Sequence, residues 1–130
     1  MLYEVYEVRS NKTWEAIEKA LHEAAARRKF GVLTVHDLQA TMRKKGVEMD
    51  REVRIYEVCN PGQAKKVIEA NPSISTALPC RIAVFSNSDG YTISTMLPTE
   101  MMKAFDTPGI EAVAEEVEQA IKSMMEEAAG

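Results

Sequence analysis

The chain has 130 residues, of which 45% are hydrophobic and 28% charged, and its formal net charge is -4. A chain of that length forms one domain, residues 1–130, with a single core that needs no disulfide or metal staple. It holds no run of roughly 18 apolar residues, which excludes a transmembrane helix, and no membrane partner is expected. The acidic balance argues against nucleic acid, because that binding rests on clustered Lys and Arg neutralising phosphates.

The start, Met1-Leu2-Tyr3-Glu4, has neither the basic nor the apolar region of a secretory signal, so a reducing cytoplasmic setting is the expectation. There the two cysteines, Cys59 and Cys80, are expected as free thiols.

A strand is predicted over Leu2 to Val8, rich in Tyr and Val and ended by Ser10-Asn11. Trp14, Ile17, Leu21 and Ala25 then recur at spacings of three and four, the apolar stripe of an amphipathic helix. Phe30 to Leu33 reads as a short buried strand. Thr34-Val35-His36-Asp37 has the spacing of a capping box, which starts a second helix at Val35. Arg43, Lys44 and Lys45 place cations in its last turn, and Gly46 sits where a left-handed cap ends it.

Arg51 to Val58 is predicted as a strand from its Val, Ile and Tyr content. Asn60 is a suitable N-cap, Pro61 suits the first helical position, and Gln63 can reach back as the third residue of a capping box. The helix so started runs to about Ala70 and stops at Asn71-Pro72. A loop to Leu78 follows, and Cys80 to Phe85 is predicted as a central strand covered on both faces. Asn87-Ser88-Asp89-Gly90 is a turn into the alternating segment Tyr91 to Leu97, a β-hairpin. Beyond Pro108, Ile110, Val113, Ala114, Val117, Ile121 and Met124 mark a long C-terminal helix with an acidic outer face.

Tyr6-Glu7-Val8 is echoed fifty residues later by Tyr56-Glu57-Val58, Ile17 by Val67, and Val32 by Ile82. The echo fits a duplicated strand–helix–strand unit, although Tyr3-Glu4-Val5 matches the tripeptide too and any two such units look alike. The resulting class is α+β: a mostly antiparallel sheet of about five strands with helices packed against one face.

The candidate site is the pair Cys59-Asn60-Pro61 and Pro79-Cys80-Arg81. Cys59 directly precedes a helix N-terminus, whose free N–H groups favour a thiolate. The plainer alternative is a small buried hydrophobe, inert because burial disfavours its charge. Cys80 reads first as part of the core, while Arg81 either steadies an anion or is an exposed strand arginine. The ligand-binding set on this reading is Cys59, Asn60, Cys80 and Arg81.

Spacing leaves open whether the thiols meet, because the loop before Cys80 can return the chain to either end of the sheet. Cys59, Cys80, His22 and His36 have no close metal-ligand spacing, so no metal site is expected. No glycine-framed serine, phosphate loop or cofactor motif is present, so the sequence indicates neither a cofactor nor an enzyme. The methionine pairs Met101-Met102 and Met124-Met125 suit core filling or a partner surface.

Phe30-Gly31-Val32-Leu33-Thr34, Asp37-Leu38-Gln39-Ala40-Thr41, Lys45-Gly46, Cys59-Asn60-Pro61 and Leu78-Pro79-Cys80 resemble the signature blocks of the domain-of-unknown-function family 302. The likeness is strongest over residues 30–97. It implies a compact α+β domain similar to the TATA-binding-protein-like superfold, often a homodimer, with no established activity. An association with sulfur-handling proteins makes a small molecule or a sulfur carrier the implied partner and thiol chemistry at Cys59 and Cys80 the implied alternative. His36 stands where the family more usually has an aliphatic residue, which argues against an essential role for it.

Overall fold

The computed structural model describes residues 4–130. The elements are β1 (Val5–Ser10), α1 (Trp14–Arg27), β2 (Gly31–Asp37), α2 (Leu38–Lys44), β3 (Val53–Cys59), α3 (Pro61–Ala70), β4 (Cys80–Asn87), β5 (Gly90–Met96), α4 (Pro98–Met102) and α5 (Glu111–Ala129). The strands form one sheet in the order β1-β5-β4-β3-β2, every neighbouring pair antiparallel. The α+β class with a five-stranded antiparallel sheet therefore holds. Of the predicted first strand, the part before residue 4 lies outside the described residues.

Helices α1 and α5 pack together on one face of this sheet. The core lies beneath them: Ile17, Leu21, Ala24 and Ala25 of α1 and Ile121, Met124, Met125 and Ala128 of α5 meet Tyr56, Val58, Ile82, Val84 and Ile93 of the strands. The period-3.6 and period-2 patterns thus converge on one apolar layer. A smaller cluster of Val67, Ile74 and Ile110 sits beside it, with Leu78, Met102, Phe105 and Val113 packed around.

Among the described residues, the other face of the sheet has no such cover. It carries Val5, Glu7, Ala83, Arg81, Phe85, Ile55 and Met96, with Val5 and Met96 exposed. This corrects the expectation of a β4 strand covered on both sides: its apolar residues do not alternate with polar ones because Ala83 and Phe85 lie on the open face.

Three further differences concern the connections between elements. Residues Thr34 to Asp37 continue β2, paired with Glu57 to Arg54 across a bulge between Val32 and Thr34, so the predicted capping box does not form. Asp37 is itself the N-cap, accepting from the Ala40 N–H at 3.0 Å. Helix α2 ends as predicted, with Gly46 at φ 78° and the Gly46 and Val47 N–H groups closing onto the Arg43 and Met42 carbonyls, a Schellman motif. The predicted loop before Leu78 contains a 3-10 segment, Pro72–Ala77, and the short α4 was not expected.

The fifty-residue echo is not a structural duplication. Strands β1 and β2 lie at opposite edges of the sheet and run parallel, whereas β3 and β4 are adjacent and antiparallel.

Candidate functional site

Strand register brings the two cysteines together. Cys80 pairs with Val58, the residue before Cys59, at the end of the sheet where β3 leads into α3 and the segment after it returns as β4. Of the two routes the sequence left open, the chain takes the return to the same end. Both cysteines are free.

They line one cavity of about 50 Å³ at the seam between the main core and the smaller cluster. Phe30, Val58 and Val117 form its core side, and Val67, Leu78, Met102 and Val113 its other wall. The only polar side chains lining it are Asn60 and Gln63, together with the thiols. The walls are apolar because α3 and α5 turn their stripes toward each other here, over the end of the sheet.

Asn60 caps α3 as predicted, its Oδ1 accepting from the Gln63 N–H at 3.2 Å. The reciprocal half of the expected capping box is absent. Gln63 instead donates its Nε2 to Glu116 Oε2 of α5 at 2.6 Å. That leaves Gln63 Oε1 buried without a hydrogen-bond partner, the one such side-chain atom among the described residues.

The thiols do not behave as the helix N-terminus suggested. Burial pushes the Cys59 thiol up from its ordinary value. The Cys80 thiol is pushed up to about 11, by burial first and then by the neighbouring Cys59. Burial away from water disfavours the charged form of both thiols. Near neutral pH the cavity is therefore lined by two protonated, uncharged thiols.

Arg81 does not line this cavity; with Pro79, Cys80 and Met102 it borders a second one of about 170 Å³. Its side chain is 65% exposed, and its Nε lies 3.5 Å from Glu57 Oε2 on the open face of the sheet. There Glu57 also meets His36 Nε2 at 3.3 Å. His36 pairs with Ile55, well along β2 from the Gly31 that faces Cys59, and His22 packs edge-on against Tyr56 at 6.4 Å. Neither histidine joins the cysteines.

The sequence did not reveal two of the lining residues in this role. Gln63 was legible as a capping residue, but its tertiary partner on α5 carries no local signal. Met102 sits on α4, whose only local sign is Pro98 at the first helical position.

A profile for the domain of unknown function DUF302 matches residues 6–128. The chain belongs to the DUF302 family. A crystal structure of an uncharacterized conserved DUF302 protein from Bacillus stearothermophilus is similar throughout, with a TM-score of 0.90 at 23% identity, covering 95% of this chain and 97% of that one. At that identity the likeness speaks for the fold. No curated protein matches the chain. No helix among the described residues is long and apolar enough to cross a membrane.

Proposed function

We propose that this DUF302 domain is a binding module, cytoplasmic and homodimeric, whose ligand site is the cavity beside Cys59 and Cys80. The observation that supports this reading is the cavity itself: a small space with mostly apolar walls, lined by two uncharged thiols. The cysteines act as neutral wall residues. Asn60 supports the site by capping α3, and Arg81 serves the open face, where the apolar positions around Ala83 and Phe85 offer a second copy a surface.

Xenon, a neutral apolar probe, tests the site directly. Under xenon pressure, the methyl NMR signals of Val67, Leu78, Met102 and Val113 are expected to shift, in the parent and in a Cys59→Ala, Cys80→Ala double variant alike. Unmoved signals at these four residues would sink the reading.

The meeting of both cysteines at one cavity favours a second reading, a thiol-dependent sulfur-handling or redox role using Cys59. It requires one cysteine to alkylate faster than a free thiol at neutral pH, whereas the upward displacement of both thiols makes slow alkylation the expected result.

A further inference from the structure

The second cavity, of about 170 Å³, lies at the end of the sheet where β4 begins and β5 finishes. Cys80 and Ile82 turn toward the core, so Arg81 between them leaves on the open face. Ile93 and Thr95 likewise turn inward, and the Thr95 hydroxyl donates to the Arg81 carbonyl at 2.7 Å. Met96 therefore leaves on the same face, beside Arg81. Leu78, Pro98, Met101 and Met102 complete the apolar walls.

Arg81 carries the only charge at this cavity among the described residues, because the Cys80 thiol is protonated and no Asp, Glu, Lys or His joins the lining. Its guanidinium approaches Glu57 through Nε at 3.5 Å, longer than a good hydrogen bond, and donates to no acceptor among the described residues. The other polar lining residue, Thr76, is committed, its hydroxyl donating to the Ser73 carbonyl at 2.8 Å.

We propose that this cavity binds a small organic carboxylate, with the carboxylate paired to the Arg81 guanidinium and the apolar chain laid among Met96, Met101 and Met102. A cavity of about 150 Å³ accommodates a benzene-sized body, so the space here suits a chain of roughly four to six carbons. The mostly exposed Arg81 lets the charged head keep part of its hydration while the chain leaves water. Methionine side chains adapt their shape, so charge and length are selected more strictly than branching. Occupancy of the first cavity is not required, although the two share Leu78, Pro79, Cys80 and Met102.

Hexanoate, hexanamide and hexylammonium have the same chain and differ in the charge of the head. Each is titrated at low ionic strength against the methyl NMR signals of Met96 and Met101, which border this cavity and not the first. The parent protein is expected to bind hexanoate about fivefold more tightly than hexanamide, in the millimolar range, with hexylammonium weakest. Arg81→Met keeps an unbranched stem and removes the charge. It is expected to bind hexanoate no better than hexanamide, with hexanamide still shifting both methyls and the core signals of Ile82 and Ile93 in their parent positions. Equal binding of hexanoate and hexanamide by the parent overturns the proposal, and this comparison decides without the variant. A preference for hexanoate that survives in Arg81→Met also overturns it, as do shifts confined to Val67 and Val113 of the first cavity or the absence of any shift.

Discussion

The two ends of β3 are built on opposite plans. At its start, Arg54 is surrounded: its guanidinium stacks over Trp14 at 3.7 Å and meets Asp37 and Glu52 at 3.4 and 3.3 Å. Glu52 also accepts from the Tyr91 hydroxyl at 2.8 Å, and the neighbouring Tyr56 donates to Glu18 at 3.0 Å. At its finish, Cys59 lines a small cavity with mostly apolar walls, and Gln63, another lining residue, keeps a buried oxygen without a partner. A buried polar group without a partner costs stability, so the first end is arranged to hold the fold and the second is less completely satisfied.

The contrast is sharpest if each end is broken. Arg54→Met removes the cation–π contact and strands the Asp37 and Glu52 carboxylates, and is expected to lower unfolding free energy by about 2–4 kcal/mol in urea titrations. A loss below about 1 kcal/mol would mean that the network is ornamental to stability.

The second largest effect belongs to Cys80 and depends on pH. Because its folded-state value lies near 11, above the ordinary 9.0, the native state favours the protonated thiol. That contribution is fully present below about pH 9 and is lost as pH rises through 11. It amounts to roughly 2–3 kcal/mol. Cys80→Ala is expected to flatten the alkaline limb of the stability profile by that amount.

Filling the void comes next. Ala64→Val adds two methyl groups toward the cavity, is expected to raise stability by about 0.5–1 kcal/mol, and abolishes the xenon shifts. Destabilisation with xenon shifts retained would place the free space elsewhere. The smallest change is Cys59→Ala. With only partial burial and no polar partner, its unfolding free energy is expected to move by less than about 1 kcal/mol.

Much of this was legible from local pattern. The stripe Ile17, Leu21, Ala25 and the run Ile110 to Met124 gave the two helices that form the roof, and Asn60-Pro61 gave the start of α3. The boundary of α2 was misplaced because Thr34 and Asp37 both suit an N-cap, and only pairing with β3 decides that Thr34 to His36 stay extended. The site was half legible. Its cysteines stood out as the chain's only thiols, but their meeting follows from the β3–β4 register. The orientation of the Gln63 amide follows from a glutamate 53 residues away. Neither is written in any window of neighbouring residues.

The strand order has a bearing on how the molecule is made. Strand β1 pairs with β5 alone, Val5 lying opposite Met96, and the tight passage of Gly90 against the Ser10 carbonyl leaves no room for a side chain between them. Strand β1, made before its partner, must therefore wait unpaired until β5 has been synthesised. Its exposed edge is kept safe in the interval by charge, with Glu7 and Arg9 set among its apolar residues.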